Sequence, residues 1–276
     1  MRAKTAALLE LVKAEQPLVH HITNYVTAND CANTMLAIGA SPIMADDIEE
    51  VTDIVCLSAA LVLNIGTLNA RTIAAMLKAG KKANALGIPV VLDPVGAGAT
   101  PLRSTTAELL LRELKPAVIR GNLSEIKAVS GLGSATRGVD VSAQDILDAG
   151  NPDYGRSIAE DLATRFDCAV AITGAVDIVA GRGKTCFIEN GHSLLSRVTG
   201  TGCMCTSLIA AYCAVTKDYL SAAAAGILTM GLAGELAYEQ LPNTSRGPGT
   251  YRVELLNALS LLSGEDILQR GRVREG

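Results

Sequence analysis

ALVLNIGTLNARTIAAMLKAGKKANALGIPVVLD, residues 60–93, decides the architecture. Ala60–Ile65 is a short apolar run of the kind that forms a buried strand. Asn69–Leu86 carries apolar residues at helical spacing, and Pro89–Leu92 is a second buried strand. The same alternation recurs on both sides. Leu18–His21, Ser41–Met44, Ala117–Arg120 and Cys168–Thr173 read as strands, and Ala28–Ile38, Ser104–Leu114 and Leu123–Ser130 as helices, with Thr27 and Ser104 as N-caps. Ile178–Gly181 and Lys184–Glu189, separated by Arg182-Gly183, form a hairpin at one sheet edge, and the last third is helical over Cys203–Val215, Leu220–Glu239 and Arg252–Leu262. This pattern predicts an α/β fold: one domain spanning 1–276, with a mostly parallel central sheet and helices on both faces. The polar, turn-rich stretch Gly133–Gly155 reads as a surface excursion with no assigned function.

Composition removes several function classes. The chain has 276 residues, 49% of them hydrophobic, but only 3% are aromatic, with no Trp, and the net charge is −4. Scarce aromatics and scattered cations leave neither a stacking platform nor a basic footprint for nucleic acid or an anionic membrane. The first ten residues lack an apolar secretory core. Ala222–Gly234 is too short and too small in side chain for a membrane span, so a cytoplasmic location is expected. Seven cysteines without paired C-x-x-C motifs read mostly as reduced core thiols.

Ligands of such sheets bind beyond the carboxyl ends of the strands, and several polar residues fall there. Val198-Thr-Gly-Thr-Gly-Cys203 leads into an apolar helix. Glycines at a helix start expose free backbone N–H groups, which seat an anion such as phosphate. Cys203 lies in the same field, which favours the thiolate; a free thiol with a pKa of about 8.5 is only about 3% ionised at pH 7. Asp93, before Pro94-Val-Gly-Ala-Gly98, suits either a metal or phosphate-facing loop, or a simple turn carboxylate. In Arg120-Gly-Asn122-Leu-Ser-Glu125, the arginine can clamp phosphate and Glu125 can serve Mg²⁺. Asn122 and Glu125 equally form a capping box, and the two readings are compatible. Thr173 suits a nucleotide-lining hydroxyl or a turn. The adjacent His20 and His21 point to opposite strand faces, so neither is assigned a role. No Walker A motif occurs, and Cys205 stands where a dinucleotide fingerprint needs its third glycine.

Taken together and in order, His21-Ile-Thr-Asn24-Tyr-Val26, Gly39-Ala-Ser-Pro-Ile-Met44, Leu63-Asn-Ile-Gly66-Thr67, Val91-Leu-Asp93-Pro-Val-Gly-Ala-Gly98, Arg120-Gly-Asn122-Leu-Ser-Glu125, Val198-Thr-Gly-Thr-Gly-Cys203 and Gly247-Pro-Gly249 resemble the landmarks of the hydroxyethylthiazole kinase family, within the ribokinase-like superfamily. The resemblance implies ATP- and Mg²⁺-dependent phosphorylation of the primary alcohol of 4-methyl-5-(2-hydroxyethyl)thiazole, towards thiamine. It implies Met44, Gly200, Asn24 and Val26 as substrate-binding, Arg120, Thr173 and Gly202 as ATP-binding, and Glu125 and Asp93 as metal-binding. It makes Cys203 the catalytic residue, where the wider superfamily usually has Asp. It also implies a homotrimer with thiazole sites near subunit interfaces. Three other readings compete: a related kinase acting on a hydroxymethylpyrimidine, a covalent cysteine hydrolase or transferase with His192 as base, and a non-catalytic metabolite sensor.

Overall fold

A computed structural model describes residues 1–131, 152–242, 244 and 246–276. The first half runs α1 (Arg2–Glu15), β1 (Leu18–Ile22), α2 (Ala28–Ile38), β2 (Ser41–Met44), α3 (Val51–Leu57), β3 (Ala60–Asn64), α4 (Ala70–Leu86), β4 (Val90–Asp93) and α5 (Pro101–Glu113). It continues with β5 (Val118–Asn122), α6 (Leu123–Ser130), α7 (Pro152–Phe166), β6 (Ala169–Thr173), β7 (Asp177–Gly181) and β8 (Lys184–Ile188). A 3₁₀ turn (Ser193–Arg197) precedes α8 (Thr201–Val215), α9 (Tyr219–Glu239), α10 (Pro248–Leu261), α11 (Gly264–Arg270) and β9 (Val273–Glu275).

The strands lie in the order β2-β1-β3-β4-β5-β6-β7-β8-β9. Neighbours from β2 to β6 pair in parallel, and β7, β8 and β9 are antiparallel. Successive strand residues face opposite sides, so each parallel strand feeds two cores. Val62 and Val91 pack with α1, α2 and α8–α11, while Leu61, Leu63 and Leu92 pack with α3–α7. The α/β reading of the sequence therefore holds.

Four local expectations need correction. The β7–β8 hairpin forms around Arg182-Gly183, but β9 pairs outside it and is the true edge. Helix α5 starts earlier than expected, because Thr100 is its N-cap and Pro101 fits the first helical position; the Ser104 hydroxyl instead accepts the Gly98 N–H at 3.0 Å. Thr27 makes no capping bond, and its hydroxyl donates to Asn24 Oδ1 at 3.0 Å. The excursion expected over Gly133–Gly155 ends sooner, since α7 begins at Pro152 and buries Gly155, Ile158, Ala159 and Leu162 on one face; residues 132–151 lie outside the described residues.

Helix α9 is long and apolar enough to cross a membrane by composition, yet 83% of its apolar window is buried within the fold. Its small side chains have a packing role. A Cβ on Gly226 would stand 2.5 Å from Ile209 Cγ1 and 2.7 Å from the Ile209 backbone nitrogen, so the glycine lets α8 and α9 meet backbone to backbone. In an open helix, Gly→Ala stabilises by about 1 kcal/mol. Gly226→Ala should reverse that sign and destabilise by about 1–3 kcal/mol, the usual cost of overpacking a core. Denaturant unfolding reads the difference, and a stabilised variant would refute the close approach.

Candidate active site

Parallel register brings the polar strand ends together. Asn64 at the end of β3 pairs with Asp93 at the end of β4, and Asn122 of β5 pairs with Thr173 of β6. Chain order reverses around β1, with β2 on one side and β3 on the other, which is where ligands of open parallel sheets bind. Helix α8 arrives over these ends.

Asp93 is wholly buried. Its Oδ2 accepts hydrogen bonds from Asn64 Nδ2 at 3.0 Å and Thr206 Oγ1 at 2.7 Å, with Arg120 Nη1 3.8 Å away. Burial pushes the carboxyl up to about 6, against the opposing pull of the Arg120 guanidinium. Asp93 Oδ1 and Arg120 Nε are buried without a hydrogen-bond partner among the described residues. Arg120 also donates from Nη2 to Thr173 Oγ1 at 2.6 Å.

The first turn of α8 is open. Gly200 caps it with φ +88°, and a Cβ there would lie 2.7 Å from Thr27 Cγ2, so only glycine fits. The first helical bond runs from Met204 N–H to Gly200 O at 2.8 Å, which leaves the amides of Thr201, Gly202 and Cys203 without intrahelical acceptors. That is the open helix start which the sequence predicts. Cys203 Sγ accepts from Asn24 Nδ2 at 3.3 Å and Asn64 Nδ2 at 3.2 Å. The expected preference for thiolate is not met. Burial and the Asp93 charge push the Cys203 thiol up, despite the amide donors.

Two cavities flank this turn. The smaller, about 350 Å³, is lined by Asn24, Val26, Asp93, Glu125, Gly200 and Cys203. The larger, about 740 Å³, is lined by Thr173, Asp177, His192, Thr201 and Cys205. Arg120, Asn122 and Gly202 line both and form the wall between them. A further cavity of about 530 Å³ lies at the opposite end of the sheet, beside Asn84, Lys115 and Arg182. Met44 is half-exposed on edge strand β2 and lines none of these three cavities.

Glu125 completes a capping box with Asn122, its Oε2 accepting the Asn122 N–H at 2.8 Å. Its Oε1 accepts the Gly96 N–H at 2.8 Å, so the carboxylate also ties the loop after β4 to α6. Among the described residues no three His, Cys, Asp or Glu side chains gather as a metal cage. One or two carboxylates suffice for Mg²⁺, which keeps waters and phosphates as its other ligands. The unpartnered Asp93 Oδ1, with Glu125 lining the same cavity, fits that donor set.

Sequence reasoning missed several residues. Asn64 bridges Asp93 and Cys203, and its signal was a lone amide closing an apolar strand. Arg103 donates to the carbonyls of Val95 at 2.6 Å and Gly66 at 2.7 Å, stapling two cavity loops; its only sequence signal is its place in the first turn of α5. Asp177, pushed up to about 7 by burial, opens β7 at the larger cavity.

A mostly parallel sheet with an open helix start between two cavities at its carboxyl edge is the layout of a ribokinase-like small-molecule kinase. A ribokinase-like superfamily protein from Enterococcus faecalis V583 shares the fold, with a TM-score of 0.63 at 12% identity over 94% of this chain and 95% of that one. The profile of the hydroxyethylthiazole kinase family matches residues 9–265. A hydroxyethylthiazole kinase from Clostridium beijerinckii is 52% identical over 99% of this chain and 97% of its own. The structure of a hydroxyethylthiazole kinase from Pyrococcus horikoshii OT3 superposes with a TM-score of 0.88 at 39% identity, covering 99% of this chain and 98% of that one. The chain belongs to the hydroxyethylthiazole kinase family, and it is an enzyme, a kinase.

One buried group beneath the site makes the fold pH-sensitive. His21 donates from Nδ1 to Val19 O at 3.0 Å, leaving Nε2 to accept the Ser207 hydroxyl of α8 at 3.0 Å. Burial holds its pKa down at about 4. The folded state therefore favours neutral His21, a contribution present in full above pH 6.5 and lost as pH falls through 4. The size is on the order of 3 kcal/mol. His21→Gln should flatten the stability-versus-pH slope between pH 6.5 and 4 in denaturation series. An unchanged slope would show that His21 does not titrate this way.

Proposed function

We propose that this kinase transfers the γ-phosphoryl group of ATP to the primary alcohol of 4-methyl-5-(2-hydroxyethyl)thiazole, in the salvage of thiamine, in the cytoplasm. The observation that carries this reading is the shared wall: Arg120 and Gly202 line both cavities, so a donor in the larger one meets an acceptor in the smaller one across the open turn of α8. Phosphoryl transfer relies on positioning and on stabilising charge spread over phosphate oxygens. The free amides of Thr201 to Cys203 and the Arg120 guanidinium supply that field. Asp93 and Glu125 would hold Mg²⁺, which when bound adds positive charge beside the phosphates.

The alcohol oxygen attacks the γ-phosphorus, the bond to the β-bridging oxygen breaks, and the alcohol proton leaves. Because the Cys203 thiol is pushed up, it rests protonated. The small thiolate fraction, held by the amide N–H groups of Asn24 and Asn64, is the form that orients the alcohol and takes its proton late in a loose transition state, becoming the neutral thiol. A covalent cysteine mechanism has less support, since the sulfur's hydrogen-bond partners are the Asn24 and Asn64 amides and the Thr27 hydroxyl, none of them a base, while His192 stacks on Tyr238 at the larger cavity.

Met44 enters this reading through a second copy. The exposed apolar side chains Tyr25, Val26, Leu36 and Met44 lie near the smaller cavity and along α2 and β2. They support a homotrimer in which Met44 packs its polarisable thioether on the thiazole of a neighbouring subunit.

A coupled assay of ATP turnover with thiazole, pyrimidine and sugar alcohols, with and without Mg²⁺, should show rapid turnover with the thiazole only when Mg²⁺ is present. Equal or better rates with the hydroxymethylpyrimidine would replace the substrate. Cys203→Ala should lower kcat on the order of 10²-fold, the low end for a positioned acid–base group, while Cys203→Asp keeps substantial activity. A near-wild-type alanine variant would remove Cys203 from the mechanism.

A further inference from the structure

The larger cavity is lined by the aromatic ring of His192 as well as by Arg120 and Gly202. Behind the imidazole lies the Tyr238 ring, with centroids 3.9 Å apart and planes 19° from parallel, and the Tyr251 ring stands at its side with centroids 6.1 Å apart. Tyr238 covers one face of His192 and does not itself line the cavity, whereas His192 does.

In a chain with six Tyr, two Phe and no Trp, two of the tyrosines support this one imidazole. The ring is also fixed in its plane, because Nδ1 accepts the Leu194 N–H at 3.2 Å.

The loop that carries His192 is anchored from below. Glu235 of α9 accepts the Gly191 N–H at 2.8 Å and the Asn190 side-chain amide at 3.1 Å, and Arg272 donates to the same carboxylate at 2.6 Å. Gly231 lets Asn190 lie directly on α9, where a Cβ would come within 2.4 Å of the Asn190 carbonyl oxygen. A ring held this firmly loses little freedom when a flat ligand lands on it.

We propose that the imidazole face of His192 turned away from Tyr238 is the stacking surface for the nucleobase of the triphosphate, with the phosphates at the Arg120–Gly202 wall. This rests on the reading of the larger cavity as the nucleotide site. Stacking of a base on a ring tolerates any base with a π-face, so His192 supplies affinity for the nucleoside while selecting weakly among bases.

The test measures Kd for a non-hydrolysable ATP analogue by calorimetry, KM and kcat for ATP, and inhibition by inorganic tripolyphosphate, which has no base. His192→Ala should raise Kd and KM for the nucleotide about tenfold, leave kcat at saturation within about twofold, and leave tripolyphosphate inhibition unchanged. His192→Phe, which restores a flat ring, should recover nucleotide affinity to within about twofold of wild type. Unchanged nucleotide affinity in His192→Ala would overturn the proposal. So would equal losses for nucleotide and tripolyphosphate, which would mark His192 as a support for the loop alone. Wild-type protein that fails to bind the analogue would overturn the nucleotide reading itself. Wild-type protein that binds it without phosphorylating the thiazole would overturn only the acceptor.

Discussion

A carboxylate taken completely out of water holds the working end of this molecule together. Removing such a charge from solvent is costly unless partners surround it. Asp93 draws those partners from separate elements: Asn64 from β3, Arg120 from β5 and Thr206 from α8. Their meeting sets the height of α8 over the sheet. It thereby sets where the free amides of the first turn point and where Cys203 stands. The same Asn64 amide reaches both Asp93 and the sulfur, so the buried charge and the thiol are tied through one side chain. Asp93 Oδ1 is left without a hydrogen-bond partner among the described residues.

Much of this was legible in the sequence because strands and helices have different hydrophobic periods. Strands at both ends of residues 60–93 emerge where apolar runs predict them, and α2 and α6 match residue for residue. The open helix start was legible too, since Gly200 and Gly202 mark it whatever surrounds them. Arg120, Thr173 and Glu125 stood at strand ends or helix starts and lie where that position implies. The weak signals were local ones outvoted by better local ones, as when Thr100-Pro101 displaced Ser104 as the start of α5.

What stayed hidden depends on distant parts of the chain. The helix field at Cys203 can be read from six residues, but the burial and the Asp93 charge that outweigh it come from β4. Asn64 looks like a lapse in an apolar strand until register sets it beside Asp93. His192 gains meaning only when Tyr238 and Tyr251, far along the chain, stack around it. Met44 sits on an outer strand and lines none of the three cavities described.

The backbone-to-backbone seam between α8 and α9 carries a consequence for how such a sequence can change over time. The helix whose first turn leaves its amides open between the two cavities is the same helix that Gly226 allows to press against its neighbour. A larger residue in that seam would displace the turn along with the core. Drift in the interior and drift in chemistry are therefore not independent here. Lineages of this fold are expected to wander freely on the outer faces of α4, α5 and α7, and to explore the α8–α9 seam only through paired replacements that keep its width.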